Sequence, residues 1–262
     1  FSGNELPQIP RAKETHFRVV MPSVRAVAWI LGICIACLHV ANAARIVIFE
    51  VTGRARLGGL MPLVDVDTEG NLPTLFSVMT LFAAGALAAL VAARERRAQG
   101  RFWKYWVGIA VIFGGLAVDE GCRIHEMIMP LGKLIANSGV FFFAWVIPAG
   151  IAIVVLTLVY FRMVFSWPAW FRNLGILSAA LFISGALGME MIGGQIAEKS
   201  GLNLHFQIVS AIEEFLEMTG VAVWICALLR YLQSGPSPIV VALEFRDKSK
   251  RPPPLAPRTR PG

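Results

Sequence analysis

Apolar residues in this chain are gathered into six long blocks, at about 24–49, 73–93, 102–128, 139–161, 174–194 and 208–231, with polar stretches between them. Each block is long enough to cross a bilayer, which takes roughly 20 residues of helix. The pattern predicts an all-α, polytopic transmembrane helix bundle of six spans. A polar N-terminal segment, 1–23, precedes a six-span domain, 24–232, and a basic, Pro-rich tail, 233–262, follows it. The first block is too long for the apolar region of a cleavable signal peptide. Within the tail, the apolar stretch 238–245 is read as a short strand or a docking element.

Composition strengthens the membrane reading. The 262 residues are 56% hydrophobic, with a mean hydropathy of +0.64, and only 16% are charged. A water-soluble domain normally carries about 25% charged residues. The formal charge of +7 does not indicate a nucleic-acid partner, because the basic residues lie between the apolar blocks, where topology signals sit. Eighteen of the 24 Lys and Arg residues fall on the side that includes both ends of the chain. The positive-inside rule then predicts that both termini are cytoplasmic. The expected partners are membrane lipid and, through the tail, other membrane subunits. Trp103, Tyr105, Trp106, Trp167, Trp170 and Tyr231, near block ends, are read as interface anchors. Small residues such as Gly114-Gly115 and Ser184-Gly185 are read as sites of close helix packing.

Charge inside the blocks carries the functional signal. The third block ends in Asp119-Glu120-Gly121-Cys122-Arg123-Ile124-His125-Glu126, with no helix breaker before Pro130. The fifth holds Glu190 and the sixth holds Glu213, Glu214 and Glu217, while the first contributes His39, Asn42 and Arg45. Counted from the basic ends at 1.5 Å per residue, Asp119 lies about 22 Å in, Glu190 about 27 Å and Glu217 about 20 Å. Four helices thus bring ionisable groups to one depth, in the outer half of the bilayer. The spacings of Asp119 with Cys122 and Glu126, and of Glu213 with Glu217, put each set on one helix face. A charge near the bilayer centre costs roughly 2.5–3.5 kcal/mol on insertion scales. The cations at hand are few: Arg45, Arg123 and His125. Gathered carboxylates cannot all stay ionised without a counter-ion.

Two chemistries answer that need. A divalent metal (Fe, Mn, Zn or Ca) would take Asp119, Glu190, Glu213, Glu217 and His125 as ligands. Glu120, Glu126, Glu214, Arg45, Arg123 and His39 would then serve as outer partners or charge balance. Such a site suits a metal-dependent enzyme acting on a lipid-like substrate. Alternatively the same carboxylates titrate in a proton- or cation-coupled transporter, or the protein is an accessory subunit of a larger complex. No Glu-x-x-His occurs, so the di-iron pattern of four-helix carboxylate proteins is not met. Asp119-Glu120-x4-His125-Glu126, Gly188-x-Glu190-x-x-Gly193-Gly194 and Glu213-Glu214-x-x-Glu217 together resemble a group of uncharacterised bacterial multi-pass membrane proteins. The resemblance covers about half of the chain and implies a fold of about six spans with a shared polar site.

Overall fold

The computed structural model describes residues 15–18, 21–53, 59–68, 70–234 and 240–243. They form β1 (Thr15–Arg18), α1 (Val24–Thr52), α2 (Leu60–Leu63), α3 (Leu72–Arg97), α4 (Trp103–Cys122), α5 (Ile124–Gly132), α6 (Val146–Phe165), α7 (Ala169–Ile183), α8 (Glu190–Ser200), α9 (Leu204–Gln233) and β2 (Val240–Leu243). One π-helical segment, Ser184–Met189, joins α7 to α8 without a break. Six helical stretches are long and apolar enough to cross a membrane: α1, α3, α4, α6, the continuous run Ala169–Ser200, and α9. The protein is therefore helical with six apolar, membrane-length helices, as the hydropathy pattern predicts. The chain divides into two compact units, 21–235 and a second made of 1–20 with 236–262. In the second, β1 pairs antiparallel with β2, Thr15 opposite Leu243. The strand expected within 238–245 is thus present. Its partner β1 was not expected from the N-terminal segment. Most of the tail lies outside the described residues.

The fourth helix starts at Val146 rather than 139, because 139–145 form a 3-10 turn and bends, whereas the second, fifth and sixth helices exceed the predicted spans because polar residues continue them. The fifth runs to Ser200 rather than 194 and the sixth begins at Leu204 rather than 208. The end of the third span also differs. The third span is not helical as far as Pro130: it stops at Cys122, where Arg123 adopts a left-handed φ of 56°. A short helix, α5, restarts at Ile124 and carries Pro130 inside it. The reason is local. The Asp119 carboxylate accepts from the His125 backbone N–H at 2.6 Å, capping the new helix and so stabilising the turn. Asp119 and Glu126 consequently do not share one continuous helix face.

Close crossings set the bundle. A Cβ on Gly220 of α9 would stand 2.8 Å from the Phe182 backbone N and 2.9 Å from the Ser178 carbonyl O of α7. At that crossing Ser178 Oγ donates to the Gly220 carbonyl at 2.8 Å. On α3, a Cβ on Gly85 would meet the Ala110 carbonyl of α4 at 3.2 Å. Small residues therefore allow main chains to approach where apolar lipid tails provide no hydrophobic driving force. At the basic ends of the helices, Trp106, Trp167, Phe171 and Trp224 form a ring stack with centroids 4.8–6.3 Å apart. Tyr231 stacks on Phe171 at 4.6 Å. Trp106 and Phe171 are essentially fully buried, so Trp106 is core and not an interface anchor. Arg94 of α3 donates to the Tyr231 and Leu232 carbonyls at 3.1 and 3.3 Å, closing the end of α9.

Candidate functional site

The far end of the same unit holds the ionisable groups, in two connected networks. In the first, Arg45 of α1 pairs with Asp65 at 2.9 Å, with both side chains largely buried at 12% and 15% exposure. Its Nε donates to Asn42 Oδ1 at 3.0 Å, and the Nη2 that faces Asp65 also donates to Gln207 Oε1 at 3.2 Å. Ser210 of α9 donates to Asp67 at 2.7 Å. The connection leading into α3 is thus latched to α1 and α9. Asn71 organises it further, capping α3 through Thr74 N–H while its amide donates to the Asp65 and Thr68 carbonyls, both at 2.6 Å. The Asp67 carboxyl sits above the usual carboxylate range. Burial against α9 is the main cause, Asp65 adds to it, and Ser210 and Arg45 oppose it.

His39 belongs to this side. Its Nδ1 lies 2.9 Å from the Ile35 carbonyl and its Nε2 3.2 Å from the Ala211 carbonyl of α9. Its ring meets Phe215 edge-on at 5.4 Å. The Nδ1 contact stays within α1, while the Nε2 contact and the Phe215 ring hold α1 against α9.

The second network contains the carboxylates of the later helices. Trp145 Nε1 donates to Glu190 Oε1 at 2.7 Å. Glu190 and Glu213 lie within hydrogen-bonding reach of each other. Glu217, one turn along α9, is close enough to Glu190, Glu120 and Asp119 for their charges to repel its own. His125 turns its ring to Trp145, at 5.0 Å, and its Nδ1 to Asp119 Oδ2, at 3.1 Å. A continuous line thus runs Asp119–His125–Trp145–Glu190–Glu213, with Glu217 beside it. Arg123 and Glu126 pair with each other on the exposed rim. Arg45 pairs with Asp65 and with neither Asp119 nor Glu217.

The backbone explains why Glu190 arrives here. A Cβ on Gly185 would stand 2.7 Å from the Glu213 carbonyl O and 2.8 Å from Glu217 Cγ, so the carboxylate helices cross tightly at this glycine. The π-segment begins one residue earlier, at Ser184. A wide turn of this kind carries one extra residue, which rotates everything after it by about 100°. Glu190 is the first residue beyond it. An apolar groove of about 520 Å³ opens alongside and includes Leu187 and Met191, which bracket Glu190 in sequence.

Of the residues read as ligands, Glu190, Glu213 and Glu217 come together. Asp119 and His125 engage each other; His125 meets Trp145, which donates to Glu190, and Asp119 lies near Glu217. Among the described residues, no three His, Cys, Asp or Glu side chains are gathered as ligands around one point. Among the same residues, none of the trio pairs with Lys or Arg. Sequence reasoning did not identify Trp145, Gln207 or Ser210. A Trp opening a span signals only an interface, and neutral polar residues at helix starts carry no distinguishing pattern.

Arg45→Gln is expected to cost about 2 kcal/mol. That is less than the 3–5 kcal/mol for a fully buried pair, because this pair sits near the rim. Limited proteolysis should then cut between Gly59 and Asn71 faster than in the parent. An unchanged cleavage rate would show that the latch does not hold the connection.

No curated protein and no solved structure matches the chain. A family described as a domain of unknown function (DUF8692) matches residues 26–231, which contain almost the whole of the six apolar helices and every carboxylate of the site. With most of its length inside that match, the chain belongs to the DUF8692 family.

Proposed function

We propose that this is a proton-handling protein of a bacterial inner membrane, with its carboxylate site in the outer half of the bilayer and both termini in the cytoplasm. The carrying observation is the Glu190–Glu213 pair, within hydrogen-bonding reach and, among the described residues, without a Lys or Arg partner. A hydrogen bond between two carboxyl groups needs a proton on one of them. Glu217 adds a third carboxyl to the same place, and like charges so close cannot all ionise without a counter-ion. Buried carboxylates in membrane helices commonly mark proton or ion pathways. The π-segment beside Glu190 fits the same reading, since such turns recur at functional sites. The excess of Lys and Arg on the side of both termini supports the orientation. Coupled movement of a proton or cation with a solute is the activity this site suits.

A resident divalent metal fits less well, because three ligands are not gathered and both candidate histidines have other partners. A metal-dependent enzyme acting on a lipid-like substrate draws support only from the apolar groove beside Glu190. One experiment separates these readings. Infrared difference spectra of the purified protein in nanodiscs should contain a protonated-carboxyl band that Glu190→Gln or Glu213→Gln abolishes. Absence of that band, together with one metal ion retained per washed chain, would overturn the proton reading in favour of the metal.

A further inference from the structure

At the opposite end of the bundle a second groove, of about 560 Å³, runs between α3 and α4. Small residues line much of it, Ala86, Ala89 and Ala93 from α3 and Gly114 from α4, with the larger Phe82 and Val111 beside them. A Cβ on Gly114 would meet nothing within 4 Å, so the furrow is open there. Along α4 the groove runs from Trp103 to Gly114, about 16 Å at 1.5 Å per residue. One leaflet contributes about half of a hydrocarbon core roughly 30 Å thick. The groove therefore matches the depth of a single leaflet, from the interface to the bilayer centre.

Its outer mouth is cationic. Arg96 lines it, with its guanidinium 5.1 Å from the Trp103 ring centre. The Lys104 ammonium stands 5.7 Å from the same ring. Two exposed cations thus flank one indole at the level where lipid headgroups lie. The surrounding stretch 94–104 holds five basic residues and a single acid, Glu95, which accepts a hydrogen bond from Tyr231. Hydrocarbon below and positive charge above is the complement of an anionic phospholipid.

We propose that this groove binds one anionic phospholipid, with an acyl chain along Ala89, Ala93 and Gly114 and its phosphate held by Arg96 and Lys104. Each basic residue at a membrane surface attracts an anionic headgroup, and two of them give a preference of about tenfold or more over a zwitterionic lipid. The test is native mass spectrometry of the full chain titrated with dioleoyl phosphatidylglycerol or dioleoyl phosphatidylcholine. The intact protein should retain phosphatidylglycerol at least about tenfold better. Arg96→Gln with Lys104→Gln should bring the two lipids to parity. Ala89→Leu with Gly114→Leu fills an open furrow and should remove both. Equal retention by the parent chain would overturn the proposal, and so would undiminished phosphatidylglycerol binding in the filled variant. A dimer that the filled variant dissolves would assign the groove to a second copy instead. If the filled variant does not fold, the charge variant still decides between headgroup recognition and none.

Discussion

Replacing Gly220 by alanine is expected to destabilise the bundle by about 3 kcal/mol, the upper end of the range for overpacking a close contact. The added Cβ would stand 2.8 Å from the Phe182 backbone N and 2.9 Å from the Ser178 carbonyl O. Neither partner is the tip of a flexible side chain, so α7 and α9 must move apart. That movement breaks the Ser178 hydrogen bond to the Gly220 carbonyl and opens the crossing that continues to Gly185 and the glutamates. Gly114→Ala is the control. Its Cβ meets nothing within 4 Å, and removing a mid-helix glycine gains up to about 1 kcal/mol of helix propensity. Unfolding of both variants by denaturing detergent, followed by circular dichroism, measures the difference. A Gly220→Ala protein within about 1 kcal/mol of the parent would mean that the crossing yields more easily than its geometry implies.

Trp106→Ala should cost about 3–5 kcal/mol, the range for truncating a large buried aromatic. Trp106 is only 2% exposed and contacts Trp167, Phe171, Trp224 and Tyr231 through its ring. In a membrane the loss is mainly packing and ring–ring attraction, because lipid is as apolar as the protein interior. Trp170, whose ring sits 4.5 Å from the Arg230 guanidinium carbon, provides the comparison at the same level of the bundle. Trp170 is half-buried and also meets Phe171 at 5.5 Å, so Trp170→Ala should cost about 1–2 kcal/mol, the loss of one cation–π and one ring contact. Equal losses for the two variants would show that both tryptophans act as interface anchors and that the stack adds nothing.

Tryptophan at a block end reads the same in sequence whether it faces headgroups or its neighbours. Trp106 and Trp170 are each followed or preceded by a basic residue within two positions, yet only Trp106 is enclosed. The glycine stretches read in the sequence as packing sites divide in the same way. Gly185 is pressed against α9, whereas Gly114 and Gly115 face open space. Helix rotation decides between these outcomes, and a local pattern does not encode it.

The candidate site was legible in its composition and illegible in its connections. Glu190, Glu213 and Glu217 stood out because each interrupts an apolar block. That Glu190 meets Glu213 depends on the π-segment at Ser184–Met189, where Ser-Gly-Ala-Leu-Gly-Met reads as ordinary apolar helix. Asp119 stood out as a ligand candidate, yet it caps α5 and orients His125. No residue type announced the left-handed turn at Arg123 that creates this cap.

By itself the sequence determined six membrane-length helices, and the approximate limits of most of them. Lipid imposes those properties one segment at a time, through the length of hydrocarbon to be crossed and the cost of charge within it. Only the tertiary structure decided which acids touch, which tryptophans are core, where the third span breaks and which furrow stays open. Those outcomes depend on how helices cross and rotate against one another, and the energies involved come from contacts between residues far apart in the chain.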